Sequence, residues 1–183
     1  MMTVTRSAKK TSSLRVAWSW VYPMAIGVAI ALSFQKWVAT AALVPSQSMN
    51  PTIPAPCHIF VNRLSTEFAN PFRGEVVLFH YPDNPSEIFV KRIIGMPGDT
   101  VTITNTAVYI NGKLLKEPYI DQPNVSGLGT YHVPAGHYFM MGDNRSNSLD
   151  SRFWVHKYVA RSAIVGQADF VVFPLNKIEG IVQ

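Results

Sequence analysis

The sequence predicts a mainly antiparallel β domain preceded by one N-terminal transmembrane helix. Two observations carry this prediction. An uncharged run of twenty residues lies between Arg15 and Lys36, and beyond it short apolar runs are separated by turns rich in Pro, Gly and Asn. The predicted organisation is a basic tail at residues 1–15, a membrane anchor at 16–38 and a β domain at 39–183.

The anchor is predicted from the run VAWSWVYPMAIGVAIALSFQ. As a helix this run is roughly 30 Å long, which matches the hydrocarbon core of a bilayer. Trp18 and Trp37 stand near its two ends, as interfacial aromatic residues do, and Pro23 is tolerated in a transmembrane helix. A buried core helix and a cleaved signal peptide, ending at Ala39-Thr40-Ala41, are the alternatives. Because secretory apolar regions are usually only 7–15 residues long, the length favours an anchor.

The charge distribution gives an orientation. Residues 1–36 contain five basic residues and no acidic ones, whereas basic and acidic residues balance in the rest of the chain. The β domain therefore lacks the basic surplus of a nucleic-acid-binding protein. Since positive flanks stay on the cytoplasmic side, the N-terminus is predicted in the cytoplasm. The residues after about 40 are then outside the cell membrane, in a single-pass protein whose basic flank contacts membrane lipid.

Strands are predicted where short apolar or alternating runs are bounded by turn residues. They are placed at 75–80, 87–94, 100–104, 108–110, 113–115, 138–141, 164–168 and 170–173. Asn111-Gly112 between two such runs is a strong hairpin signal. Loops are predicted at 45–56, 82–86 and 116–137 from their prolines and glycines, and a short helix within 151–159.

Cys57 is the one cysteine, so no intrachain disulfide can form. As a thiol nucleophile it would need His58, but neighbouring residues on a strand point to opposite faces, which favours a small apolar core residue. The five histidines show neither an HExxH motif nor paired ligand spacing. No metal and no cofactor are therefore predicted.

Two segments carry the first candidate reactive groups. VPSQSMNPT, directly after the anchor, presents Ser46 and Ser48 between prolines, although such segments are often only turns. FVKRII places Lys91 on the same face of a predicted strand as Phe89 and Ile93. A lysine on an apolar face is either an edge-strand gatekeeper or a desolvated amine. Burial lowers the pKa of an amine from about 10.4 toward 7–8, where it can act as a base.

A third segment, GDNRSNSLDSR at 142–152, has the composition of a loop. Its charges are either solvated or paired, and Asp150 and Arg152 are close enough in sequence to pair across a turn, just after Ser148. Each segment alone is weak. Together they supply a nucleophile, a base and groups that orient the base, as a hydrolase requires.

The order of PSQSMNPT, RGEVVLF, VKRIIGMPGD and GDNRSNSLDSR resembles the bacterial type I signal peptidases, from about Trp37 to Phe173. The resemblance implies a signal-peptidase-like β domain with a serine–lysine dyad, in which Ser48 is the nucleophile and Lys91 the base. Ser46 resembles the side-chain donor of the oxyanion hole. Ser148 resembles the residue that orients the lysine amine, and Asp150 and Arg152 resemble the supporting salt bridge. The short stretch between the hairpin and Gly142 matches the compact form of the family.

The resemblance also implies a substrate class, namely exported preproteins cleaved after small residues at −1 and −3. Glu87–Val90 and Val44–Ser46 are the candidate strands that flank the bound peptide. Two other classes remain open from the residues alone. A self-cleaving serine–lysine regulator would carry a DNA-binding module and no anchor, and a membrane-tethered β domain that only binds peptides or sugars would leave a preprotein intact.

Overall fold

The computed structural model describes residues 13–122 and 126–183. Most of the predicted basic tail therefore lies outside the described residues, as does Pro123 of the predicted loop at 116–137. The chain divides into two compact units, Met1–Trp37 and Val38–Gln183.

The first unit is formed by helix α1, Ser13–Trp37, which contains Pro23. Its large apolar side chains are exposed along the described length, for example Trp18 at 67% and Ile30 at 64%. Among the residues that the structure describes, no helix combines the length and apolar character needed to cross a membrane. The predicted transmembrane helix is thus not confirmed.

The second unit is mainly antiparallel β, as predicted. Its strands are β1 Ala39–Val44, β2 Cys57–Asn62, β3 Val76–Tyr81, β4 Asn84–Gly95, β5 Thr100–Ile103, β6 Val108–Ile110, β7 Lys113–Leu114, β8 Gly129–His132, β9 His137–Met141, β10 Val159–Ala160, β11 Ile164–Phe173 and β12 Glu179–Gly180. A short helix α2, Leu64–Phe68, follows β2, and single 3-10 turns lie at Gln47–Met49, Arg161–Ala163 and Leu175–Lys177.

These strands form two sheets. The larger has the order β1-β2-β11-β3-β4-β9-β10, with β12 added beside β11, and the smaller has the order β7-β6-β5-β8. Every strand pair is antiparallel. Buried apolar residues form three clusters, one of which packs Met49 and Ile53 against β2, β3 and β11. This cluster fixes the segment that follows the candidate nucleophile.

Several predicted boundaries need correction. The loop predicted at 82–86 ends at Asp83, because β4 begins at Asn84 and this residue already pairs with Tyr81 of β3. The two strands at 164–168 and 170–173 are one strand, β11, whose register shifts between Ala168 and Phe170. The region 116–137 contains β8, which pairs with β5.

The short helix predicted within 151–159 is also wrong. The carbonyl of Asp150 accepts hydrogen bonds from the amides of Phe153 and Trp154, so one turn closes, but no further turn follows. The hairpin at Asn111-Gly112 is confirmed. Both residues have positive φ, 51° and 79°, the conformation for which Asn and Gly are favoured in two-residue hairpins.

Candidate active site

Ser48 is placed by the 3-10 turn Gln47–Met49, directly after β1. Met49 is fully buried and its carbonyl accepts a hydrogen bond from the amide of Ile53, which is also fully buried. These apolar anchors hold the turn against the core. Ser48 itself is buried, while its hydroxyl remains available to a side chain from β4.

That side chain is Lys91, which lies in the middle of β4 opposite Val77 of β3. Its Nζ is 2.5 Å from the Oγ of Ser48, and the residue is only 4% exposed. The Phe89 ring, on the same strand, is centred 5.7 Å from the amine. A buried amine in contact with a hydroxyl is the geometry that proton transfer from serine to lysine requires.

Burial lowers the pKa of Lys91 to about 8, because the ammonium loses its hydration. The nearby Arg152 lowers the pKa further, whereas the carboxylates of Asp150 and Asp143 oppose the shift. About a tenth of the amine is therefore uncharged at pH 7, far more than in an ordinary lysine.

Ser46 lies beside the same hydroxyl. Its Oγ is 3.2 Å from the Oγ of Ser48, and the residue is exposed at the mouth of the site. Because the two hydroxyls are neighbours, Ser46 can donate a hydrogen bond to an oxygen that develops charge next to the nucleophile.

Asp150 and Arg152 form the predicted ion pair, with both side chains fully buried. Two nitrogens of Arg152 donate to the two carboxylate oxygens of Asp150, each at 2.8 Å. Asp150 also accepts from the amide of Gly142 at 3.0 Å, and Arg152 donates to the carbonyl of Arg145 at 2.9 Å. The pair therefore braces the loop 142–152 from within.

Ser148 lies close to the Ser48 backbone, but it makes no hydrogen bond to the Lys91 amine. Its Oγ is buried without a hydrogen-bond partner among the described residues. A methyl group at Gly142 would overlap both this oxygen and the carbonyl oxygen of Ser48. Ser148 thus packs close to the backbone of Ser48, and its orienting role stays a prediction.

Sequence reasoning assigned no role to Asn144, which holds the nucleophile segment. Its amide donates to the carbonyl of Ser48 and its side-chain amide to the carbonyl of Gln47, each at 3.1 Å. Asn144 belongs to the GDNR stretch that the sequence analysis singled out. Its contact could not be predicted, because its partner Gln47 lies almost a hundred residues earlier in the chain.

A second buried ion pair was also missed. Arg92 donates from Nε and Nη2 to Asp143 at 2.9 and 2.7 Å, and both side chains are fully buried. The Tyr119 ring lies 3.8 Å from the guanidinium carbon, and Glu117 pairs with Arg145 nearby. Strand alternation puts Arg92 on the face opposite Lys91, and a second basic residue on an inward face was the feature of the sequence that could have indicated a buried ion pair.

A groove of about 620 Å³ leads to Ser48 and Lys91. One wall is β1, from Thr40 to Val44, and the other is the part of β4 from Ile88 to Lys91, with Leu78 and Val165 between them. Strand β1 is at the end of the larger sheet, and β9 pairs with β4 only from Arg92 onward. Within the described part of the chain, both walls therefore present unpaired strand edges to the groove.

Other candidates from the sequence lie elsewhere. Cys57 is buried in the apolar cluster, where burial raises the pKa of its thiol, so it has the character of a core residue. None of the histidines is among the residues that line the groove. Among the described residues, no group of three or more His, Cys, Asp or Glu side chains could hold a metal ion.

Comparison with known proteins assigns this architecture to a family. The family described as signal peptidase, peptidase S26, matches residues 17–173. The chain belongs to this peptidase family. A signal peptidase I of Leptolyngbya laminosa is 41% identical over 84% of this chain and 78% of its own length. A signal peptidase I of Bacillus amyloliquefaciens is 37% identical over 93% of this chain and 92% of its own.

Among solved structures, a signal peptidase I of Enterococcus faecalis V583 is similar, with 32% identity and a TM-score of 0.48. The similarity covers 54% of this chain and 97% of that one. Family membership makes the peptidase a hydrolase, specifically a serine endopeptidase that processes signal peptides. The two alternatives left open by the residues, a self-cleaving regulator and a β domain that only binds, are thereby set aside.

Proposed function

We propose that this member of the family removes signal peptides from exported preproteins with Ser48 as nucleophile and Lys91 as general base. The 2.5 Å contact between the Lys91 amine and the Ser48 hydroxyl, at the end of a groove, is the observation that carries the proposal. A hydroxyl has little nucleophilicity until a base takes its proton, and the pKa of about 8 suits this amine to that task.

In the proposed reaction, neutral Lys91 takes the Ser48 proton while Oγ attacks the scissile carbonyl. The Ser46 hydroxyl and the Ser48 amide donate to the developing oxyanion, and one such donor contributes about 3–4 kcal/mol. The Lys91 ammonium then gives its proton to the leaving amine, and the acyl-enzyme forms. Water activated by Lys91 releases the signal peptide. Neither a metal nor another cofactor takes part.

The supporting roles follow from position. Ser148 would orient the Lys91 amine once substrate is bound, and the buried Asp150–Arg152 pair would hold the loop that carries Ser148. The lone buried hydroxyl of Ser148 supports this assignment, since a buried polar group without a partner is costly and is retained where it has a use.

The groove supports a substrate bound as an added strand. Free edges of β1 and β4 offer backbone hydrogen bonds on both sides of an extended peptide. Alternate side chains of such a peptide share a face, so those at −1 and −3 would both point at the groove floor near Leu78. The bulk of the floor would limit them to small residues.

We also propose that the enzyme is attached to the cell membrane by α1, with its N-terminus in the cytoplasm and the β unit outside. The exposed apolar side chains of α1, such as Met24 and Phe34, support contact with lipid. Preproteins with signal peptides and membrane lipid are then its partners, whereas nucleic acid is not.

The direct test is cleavage of a purified preprotein with an Ala-x-Ala site, with product masses that identify the bond cut. Lys91→Ala and Lys91→Arg are expected to lose at least 10³-fold in rate, because arginine keeps its proton near neutral pH. Lys113→Ala, which changes an exposed lysine of β7, is the matched control and should cleave normally. Cleavage by Lys91→Ala within tenfold of wild type would overturn the assignment of the base.

A further inference from the structure

The segment after β11, residues 174–183, folds back and contacts β4, the strand that carries Lys91. Strand β12 pairs Glu179 with Val171 and Gly180 with Phe170, on the edge of β11 opposite β2. The next residue, Ile181, is 6% exposed and joins the apolar cluster that holds Met49 and Ile53. This segment lies beyond the residues matched by the family description, which end at 173.

Gln183 fastens the segment to two strands at once. Its Oε1 accepts a hydrogen bond from the amide of Val76 in β3 at 2.7 Å, and its Nε2 donates to the carbonyl of Ala168 in β11 at 2.9 Å. One side-chain amide therefore uses a donor and an acceptor to bridge neighbouring strands.

The bridge holds a carbonyl in place against Arg92. The Nη1 of Arg92 donates to the carbonyl of Val182 at 2.7 Å and to that of Gly74 at 2.6 Å. The guanidinium is fully buried, so the loss of an acceptor leaves a buried charge unsatisfied, and each hydrogen bond to this charge is strong. The Val182 side chain is 60% exposed, so its backbone makes the contact.

We propose that Val182 and Gln183 form a positioning element for the general base, which acts on Lys91 through Arg92. This inference rests on the proposed serine–lysine mechanism. Arg92 is the next residue to Lys91 in β4, and its other nitrogens bind Asp143 of the loop that also contacts Ser48. The Val182 carbonyl thus completes the set of acceptors around Arg92, the side chain that links β4 to the loop 142–152.

The surroundings of Lys91 determine the direction in which its pKa is expected to change. Asp150, Asp143 and Arg152 act on Lys91 from the loop 142–152, while Tyr119 and the Glu117–Arg145 pair pack near Arg92. Release of the Val182 carbonyl loosens Arg92 and, through the Arg92–Asp143 pair, the loop 142–152, so water would enter beside Lys91 from the side of this loop. Rehydration of the Lys91 ammonium then moves its pKa upward from about 8, since burial is the largest cause of the depression.

The test compares the full chain with Gln183→Ala, which removes the bridge, and with a chain shortened after Gly180, which also removes the Val182 carbonyl. Asn176→Ala, an exposed amide in the preceding 3-10 turn, is the matched control. Preprotein cleavage is measured from pH 6 to 10. Gln183→Ala is expected to raise the apparent pKa of kcat by about one unit and lower kcat near pH 7 about tenfold, with KM unchanged and with wild-type rates recovered near pH 10.

Two outcomes would overturn the inference. One is a Gln183→Ala profile that superimposes on wild type. The other is a rate reduced by the same factor at every pH, which is the mark of a smaller folded fraction. Hydrogen exchange at the amide of Asn144, which donates to Ser48, gives a readout independent of cleavage and should quicken in both variants but not in Asn176→Ala. Failure of wild type to cut the preprotein would instead refute the proposed function.

Discussion

Lys91 combines two requirements that oppose each other. As the proposed base it needs a low pKa, which burial provides, but burial of an ammonium costs free energy of folding. Because its folded pKa of about 8 lies below the ordinary 10.5, the unfolded chain binds more protons between these values. The free energy of unfolding is therefore highest above pH 10.5, where the amine is neutral in both the folded and the unfolded chain. It decreases as the pH falls from 10.5 to 8, because only the unfolded chain gains the proton there.

This sign gives a prediction for Lys91→Met, which keeps the apolar stem and removes the charge. At pH 7 the variant is expected to be more stable than wild type by up to about 3 kcal/mol, from about 1.4 kcal/mol per unit of pKa. The advantage should shrink as the pH rises toward 10.5. Urea unfolding at several pH values measures it, and Lys113→Met serves as the exposed control. A pH-independent difference would show that the amine is not desolvated.

Ser46 provides a second prediction, in which Ser46→Ala lowers kcat by about 10²–10³ through loss of one oxyanion donor. Its position 3.2 Å from the Ser48 hydroxyl supports this role, and its exposure implies that folding does not depend on it. The unfolding midpoint should therefore stay at the wild-type value while the rate of preprotein cleavage falls. An unchanged rate would remove Ser46 from the oxyanion hole.

Ser148 should likewise separate activity from stability. Its buried hydroxyl lacks a partner, so Ser148→Ala removes an unsatisfied polar group and should not lower the free energy of unfolding. We expect kcat to fall about tenfold or more, because the amine loses the group that orients it when substrate is bound. A variant that is less stable than wild type, yet cleaves normally, would contradict the orienting role.

At the level of elements, the loop 142–152 depends on a close backbone approach at Gly142. A methyl group there would overlap the carbonyl oxygen of Ser48 and the hydroxyl of Ser148. Gly142→Ala should therefore displace the loop, reduce cleavage at least 10²-fold and destabilise the fold by about 1–3 kcal/mol. Gly180→Ala is the control, since a methyl group there would meet no atom within 4 Å. Activity in Gly142→Ala close to that of Gly180→Ala would refute the packing argument.

Elements were predictable where the local signal was strong. The Asn111-Gly112 hairpin follows from the backbone preferences of these two residues. The alternation of TVTIT indicates a strand with one buried face, as β5 has. Strand β8 was not predicted because its residues are mostly exposed, so pairing with β5 and not burial keeps it extended. Strand β1 was missed because ATAALV follows the apolar run and shows no clean alternation.

For the whole molecule, the two free strand edges determine what the groove admits. A substrate strand of about six residues would match the length of β1. Replacement of Ala by Leu at −1 of a preprotein is expected to lower kcat/KM about 10²-fold, because in the proposed binding mode the groove floor near Leu78 would clash with a branched side chain. The same change at −2, where the side chain points away from the floor, should cost much less. Equal losses at both positions would argue against an extended bound strand.

The membrane attachment proposed for α1 can also be tested on the intact chain. Expressed in a bacterial cell, the enzyme should sediment with membranes and stay there after alkaline carbonate extraction. Two charged substitutions in the apolar run, Ile26→Asp and Ile30→Asp, should release it, because buried charges oppose insertion. An enzyme found wholly in the soluble fraction would refute the attachment.

The sequence by itself determined the class of fold, because alternation and turn residues act locally along the chain, and its short motifs, through the family resemblance, indicated the candidate reactive side chains. Tertiary structure alone decided which groups meet. Lys91 reaches Ser48, Asn144 holds the turn that carries Ser48, and Arg92 binds Asp143 across separations of roughly forty to a hundred residues. Such contacts and the resulting desolvation depend on sheet order and register, and no local pattern in the chain encodes these.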